Sequence, residues 1–193
     1  MGETHGTKVS AVLIVRDEEE GLARAIESLR VLSAVDEVVV VDTGSTDRTL
    51  AIARDLGAKV YEDPWTGDFA YHRNRAMERC SHDWVFFVDG DEELVDAGNI
   101  DEVLAQEDID GVALTMHCQA NGQVEEESMM VRLFDRRRGR WEHAIHEQLT
   151  GLEKGVVARG MMVAEDDDSF EASSHTRLAK LLEQEPLHPG ESH

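Results

Sequence analysis

The sequence predicts an α/β fold: a mainly parallel central sheet flanked by helices, with a small antiparallel part towards the C-terminus. Three observations carry that prediction. Residues 9–15, 38–41 and 84–88 are near-continuous apolar runs, the pattern of strands covered on both faces. The stretches between them place apolar residues at helical spacing. Strand then alternates with helix up to residue 88, an order satisfied by parallel strands joined through right-handed crossovers.

In chain order, residues 9–15 form the first strand. Residues 17–32 read as a helix, with Leu22, Ala25, Ile26 and Leu29 on one face and acidic residues in its first turn, where the helix dipole favours them. Residues 37–41 are the second strand. The turn-rich Asp42-Thr43-Gly44-Ser45-Thr46-Asp47 follows, and Ser45 or Thr46 is placed to cap a helix over residues 47–56. Gly57 stops that helix, and Lys59-Val60-Tyr61 is a short third strand. A loop with Pro64 leads into a helix over residues 68–80, then the fourth strand at 84–88. Beyond it the pattern changes. Residues 100–105 read as a short helix, while 111–119 and 128–135 alternate like antiparallel strands around the Asn121-Gly122 turn signal. Asp166-Asp167-Asp168 reads as a solvated loop and residues 178–183 as a terminal helix. The expected organisation is one domain over residues 1–165, with a short helix and flexible tail over 166–193.

The chain has 41 acidic against 19 basic residues, a formal net charge of -22. Such a surface repels nucleic-acid phosphates and anionic membranes as a whole, although Arg136, Arg137, Arg138 and Arg140 form a local basic cluster. The acidity serves solubility or adaptation to high salt. Two cysteines, Cys80 and Cys118, make no disulfide framework and read as reduced packing residues. The N-terminal residues lack an apolar signal core, and no run approaches the ~18 apolar residues of a spanning helix. The expected location is cytoplasmic, with any membrane contact peripheral and on the inner face.

Asp89-Gly90-Asp91 follows an apolar strand and so falls at the carboxyl edge of the sheet, where open α/β folds bind ligands. Two carboxylates separated by one glycine can converge on a hard cation such as Mg²⁺ or Mn²⁺ and leave room for diphosphate oxygens. A solvated acidic turn is the competing reading in so acidic a chain. Asp42 also follows a buried strand, where it can accept hydrogen bonds from a base or ribose or serve a helix-capping loop. No GxGxxG is present, which disfavours a dinucleotide-binding site.

The ordered segments Val9-Ser10-Ala11-Val12-Leu13-Ile14-Val15-Arg16-Asp17-Glu18-Glu19, Val40-Val41-Asp42-Thr43-Gly44-Ser45-Thr46-Asp47 and Trp84-Val85-Phe86-Phe87-Val88-Asp89-Gly90-Asp91-Glu92 resemble the family 2 glycosyltransferases of GT-A fold. Asp68-Phe69-Ala70, Arg73-Asn74, Arg132-Leu133-Phe134 and His146-Glu147 are similar to a subgroup with lipopolysaccharide-core and peptide S-glycosyltransferases. The resemblance spans about residues 9–150 and implies an inverting transferase with a nucleotide-diphosphate sugar, a UDP-sugar first, and Mn²⁺ or Mg²⁺. It implies that Arg16, Asp17, Glu18, Asp42, Gly44, Ser45, Arg73, Asp89 and Gly90 bind the nucleotide sugar, Arg73 near the diphosphate. Asp91 would bind the metal most directly, with Asp89 and His146 as further ligands. Glu147 is the first choice for the base that deprotonates the acceptor, with Glu142 second and His146 beside them. Trp141 would stack on the acceptor sugar or pack in the core.

Two departures stand out. Many relatives continue into a longer C-terminal region, so the expectation from the resemblance is that acceptor-binding surface is missing or supplied by a second subunit. Where relatives place another histidine, this sequence reads Val163-Ala164-Glu165-Asp166. The acceptor class stays open between glycan, lipid-linked sugar, peptide and modified nucleobase. The competing functions are a nucleotidyltransferase of similar fold and an inactive nucleotide-sugar-binding module. Against the first, Arg16-Asp17-Glu18-Glu19-Glu20-Gly21 is poor for cradling a triphosphate.

Overall fold

A computed structural model of the chain describes residues 6–120 and 123–166. The first half alternates as expected: β1 (Val9–Val15), α1 (Leu22–Ser28), β2 (Val35–Asp42), α2 (Thr49–Asp55), β3 (Lys59–Glu62), α3 (Phe69–Glu78) and β4 (Trp84–Phe87). The second half adds β5 (Glu92–Asp96), α4 (Ile100–Leu104), β6 (Gly111–Ala120), β7 (Gln123–Asp135), β8 (Arg140–Glu142), β9 (Gln148–Thr150) and β10 (Gly155–Asp166).

Eight strands form one sheet in the order β3-β2-β1-β4-β7-β6-β10-β5, and β8 pairs with β9 in a separate antiparallel ribbon. The β3-β2-β1-β4 half is parallel throughout. β7 runs antiparallel to both β4 and β6, β10 runs parallel to β6, and β5 closes the edge antiparallel to β10. The antiparallel part is therefore continuous with the central sheet.

All seven residues of β1 are buried, and alternation sends them into two cores. Val9, Ala11, Leu13 and Val15 face Leu22, Ala25, Ile26 and Leu29, while α4 adds Ile100, Val103 and Leu104 to the same core. Val12 and Ile14 face Ala76, Met77 and Cys80 with Phe87 and Phe134 on the opposite side. Each large aliphatic side chain buried this way contributes about 1.5–3 kcal/mol of transfer free energy, enough to override the short lengths of these helices.

Several expectations are corrected. The first helix begins at Leu22 and gives way to a 3-10 turn at Leu29–Val31, so its first turn holds no acidic residue. Residues 17–21 instead form a turn, with Asp17 at φ 55°. β5, β8, β9 and β10 were not anticipated, and β7 begins five residues before the expected strand. Asp166 ends β10 rather than lying in a loop. Cys80 is buried as a packing residue, but Cys118 is exposed. The Arg136 side chain donates to the carbonyls of His82 and Met77, which ties it to the end of α3. The terminal helix, the tail and the Asn121-Gly122 turn lie outside the described residues.

Candidate active site

Because β1, β2 and β4 run parallel, their carboxyl ends share one edge. The Thr43 N–H donates to the Val15 carbonyl at 2.9 Å and the Val88 N–H to the Val12 carbonyl at 3.0 Å, which brings the loops after all three strands together. The first two loops interlock. The Asp17 N–H donates to the Ser45 hydroxyl at 2.9 Å, and the Thr46 N–H donates to Asp17 Oδ1 at 2.7 Å. The Glu18 N–H donates to Thr49 Oγ1 at 2.8 Å. Asp42 is buried and accepts from the N–H groups of Gly44 and Ser45 at 3.0 and 3.1 Å, an Asx turn. Gly44 sits at φ 122°, where a glycine is required. Ser45 thus serves the neighbouring loop. Asp47, not Ser45 or Thr46, secures the start of α2, accepting from the Thr49 N–H at 2.9 Å. Arg16 follows β1 with its Nε buried and unpartnered among the described residues.

The turn after β4 is packed from two sides. A Cβ on Gly90 would lie 2.8 Å from Glu18 Cγ, and one on Gly21 would lie 2.7 Å from the Gly90 carbonyl oxygen. Asp89 is 7% exposed, and its N–H donates to Glu92 Oε2 at 2.9 Å. Its carboxylate stands between two buried guanidiniums, with Arg73 3.6 Å from Oδ1 and Arg132 3.8 Å from Oδ2. Arg132 also pairs with Glu92. Burial pushes the Glu92 carboxyl above its ordinary range; Arg132 draws it down, and Asp89 pushes it further up.

Arg73 continues the chain of charges. Its Nε donates to Glu147 Oε1 at 2.9 Å, and its guanidinium lies over the rings of Trp141 and Phe87, 4.8 and 5.4 Å from their centroids. Charges therefore alternate from Glu92 through Arg132, Asp89 and Arg73 to Glu147. Asp91, one residue past Gly90, is partly exposed.

Of the residues expected at the site, Arg73, Asp89 and Glu147 meet directly, and Glu18 and Gly90 pack beside them. Asp17, Asp42, Gly44 and Ser45 form the adjoining loop pair. Glu142 and His146 are exposed and make no ion pair among the described residues. Trp141 packs against Phe87 and Phe134 at 5.5 and 6.1 Å between centroids, which makes it a wall beneath Arg73. Among the described residues, no group of three or more His, Cys, Asp or Glu side chains converges as a complete metal cage.

Nothing in the sequence gives Arg132 or Glu92 a role of its own. The available signal was a charge inside the apolar strand Val131-Arg132-Leu133-Phe134, because a buried charge needs a partner. The spacing did not say which.

The fold and this loop-edge site define a GT-A type domain. The family model for glycosyl transferase family 2 matches residues 10–162, and the chain belongs to that family. It is similar to the lipopolysaccharide core biosynthesis glycosyltransferase LpsC of Rhizobium meliloti, at 36% identity over 167 residues, 79% of this chain and 58% of that protein. It is 47% identical over 87 residues to an uncharacterized glycosyltransferase of Rickettsia felis, covering 45% of this chain and 30% of that one. The chain spans less than two thirds of the length of these curated relatives. In fold it resembles glucosyl-3-phosphoglycerate synthase of Mycobacterium tuberculosis, solved in complex with phosphoglyceric acid. That likeness has a TM-score of 0.50 at 22% identity over 68% of this chain and 58% of that one. No helix among the described residues is long and apolar enough to cross a membrane.

Proposed function

We propose that this chain is an inverting glycosyltransferase that takes a sugar from a nucleotide-diphosphate donor, a UDP-sugar first, and passes it to an acceptor nucleophile. One observation carries the reading: Arg73 joins Glu147 to Asp89, so a carboxylate from far along the chain stands at the sheet edge where open α/β folds bind ligands. In this reading the loops at residues 16–18 and 42–45 take the nucleoside, and the turn at residues 89–91 takes the diphosphate side. The same proposal keeps the chain in the cytoplasm, with any membrane contact peripheral and on the inner face, and leaves the acceptor class unassigned.

The donor set fits Mn²⁺ or Mg²⁺. Asp91 is partly exposed beside Asp89, and a hard cation of this kind is commonly held by one or two carboxylates plus substrate phosphates rather than by an all-protein cage. Asp91 would hold it most directly. When bound, the cation offsets the charge that gathers on the leaving nucleoside diphosphate. Asp89, Asp91 and Glu147 outnumber Arg73 and Arg132, so a bare diphosphate meets a repulsive field, and donor binding depends on the cation.

Glu147 accepts the acceptor's proton at a carboxylate oxygen as the acceptor bonds to the anomeric carbon. The bond from that carbon to the diphosphate breaks on the opposite side, and its electron pair leaves with the diphosphate. Thermal melts with a panel of sugar nucleotides, with and without Mn²⁺ or Mg²⁺, test the reading. The expected result is cation-dependent stabilisation by at least one donor, lost in Asp91→Ala. No response to any donor sinks the proposal, and a full response in Asp91→Ala moves the cation elsewhere.

A further inference from the structure

We infer that Arg73 is a positioning residue, holding Glu147 in register with Asp89 rather than binding the donor diphosphate; this rests on the transferase reading above. Arg73 is 5% exposed, and its charge is directed at two protein carboxylates. The guanidinium carbon lies over the Trp141 and Phe87 rings, 4.8 and 5.4 Å from their centroids. A guanidinium presents five N–H groups in a rigid fork, so it can serve Glu147 through Nε and Asp89 through a terminal nitrogen at once. An ammonium also has several N–H groups but lacks the planar fork, so it cannot reproduce both contacts in the same geometry.

The neighbours of Arg73 do the same task. The Phe69 N–H donates to the Ala144 carbonyl at 2.9 Å. Asn74 Nδ2 donates to the Trp141 carbonyl at 2.8 Å, and the Trp141 N–H donates back to Asn74 Oδ1 at 3.1 Å. Three residues of α3 therefore grip the segment from Trp141 to Glu147, and Arg73 is the charged contact at its far end. That segment needs a grip. His143 and His146 sit at φ 72° and 55°, and non-glycine residues stay in the left-handed region only where their surroundings over-determine it. The grip supplies that constraint and delivers Glu147 to Asp89 as part of one docked unit.

The test compares Arg73→Lys, Glu147→Gln and the double variant. UDP with Mg²⁺ is the binding probe, and UDP release from the responding sugar donor is the rate. Arg73→Lys is expected to bind UDP–Mg²⁺ within roughly threefold of the parent while UDP release slows by about 100-fold, the scale of a misplaced general base. The double variant is expected to be no slower than Glu147→Gln alone, because Arg73 acts through Glu147. The Arg73 Nε–H resonance, followed by ¹⁵N NMR, should shift in Glu147→Gln and stay put when UDP–Mg²⁺ is added to the parent.

A loss of UDP–Mg²⁺ affinity of about tenfold or more in Arg73→Lys, or losses that multiply in the double variant, overturns the inference. So does an Nε–H resonance that moves with UDP–Mg²⁺ and ignores Glu147→Gln. The NMR arm needs no Arg73 variant, so it decides the matter even where such a variant does not fold. A parent protein that answers to no donor overturns the transferase reading instead, while the response of Nε–H to Glu147→Gln still reports the pairing.

Discussion

Gly21→Ala perturbs the Asp89-Gly90-Asp91 turn without touching a site side chain. Gly21 has φ -98° and ψ -38°, which any L residue adopts, so the added methyl acts by volume alone. It would lie 2.7 Å from the Gly90 carbonyl oxygen and 3.4 Å from Asp91 Cα. The obstacle is backbone, which cannot swing aside. Nor can the turn retreat freely, because Gly90 is already packed on Glu18, itself 4% exposed and fixed through its N–H to Thr49. Overpacking of this kind costs about 1–3 kcal/mol. A stiffer unfolded chain returns ~0.4–1 kcal/mol, leaving a net loss of about 1.3 kcal/mol at the middle of the two ranges. In a chain of this size, that lowers Tm by roughly 3–5 °C. Calorimetry reads the Tm, and a second melt with UDP and Mn²⁺ reads the site. The expected outcome is a lower Tm together with a weaker UDP–Mn²⁺ response, because the displaced turn carries Asp91. A variant that melts at the parent temperature with the full response would refute the reasoning, since the turn would then be free to move.

Two further outcomes follow from side chains outside the charge chain. Burial pushes the Glu37 carboxyl up, but Lys59, Ser10 and Ser81 donate to it and together hold it down at about 2. Its folded value lies below its unfolded one, so its stabilisation is present above the ordinary carboxylate range and fades as pH falls towards about 2. Lys59 is half exposed, so solvent screening reduces the worth of this cluster to about 2 kcal/mol near neutral pH. Glu37→Gln should lose that amount in urea unfolding at pH 6, and the gap to the parent should narrow by roughly half at pH 3; an equal gap at both values counts against the assignment. Asn74→Ala removes both bonds to the Trp141 backbone and should cost about 1–3 kcal/mol. Hydrogen exchange at the Trp141 N–H should accelerate, and unchanged exchange would show that the β8–β9 ribbon is held by something else.

The parallel half of the fold was legible because β1, β2 and β4 are short apolar runs ending in polar turns. β5 was not, because only Glu92 and Leu94 of its five residues are buried and one of them is acidic. β10 was hidden by Arg159-Gly160 within it; the glycine is there because a Cβ would meet Ile100 Cδ1 at 2.5 Å. The start of α1 was misread because helical spacing continues back through residues whose N–H groups in fact donate to Ser45, Thr49 and Asp47. At the candidate site, the place of Asp42, Asp89 and Asp91 at the carboxyl edge of the sheet could be read from their position after strands. The Arg132–Glu92 and Arg73–Glu147 pairs could not, because their separations of 40 and 74 residues leave no periodic trace.

The distribution of buried charge gives a separate reason to place function at this edge. Asp110 and Asp135 are buried too, but they secure turns. Asp110 accepts from the N–H groups of Glu153 and Lys154, and Asp135 pairs with Arg137 two residues on. Around Asp89 the buried charges instead face one another across elements: Arg73 from α3, Arg132 from β7, Glu92 from β5 and Glu147 beyond β8. Taking such charges out of water is costly, and well-packed apolar residues often stabilise a fold as well or better. A fold selected for stability alone would gain little from five charged side chains at one turn. They do hold Asp89 and Glu147 in one ion-paired arrangement, which is what the proposed placing of a cation, a diphosphate and a base at one edge requires.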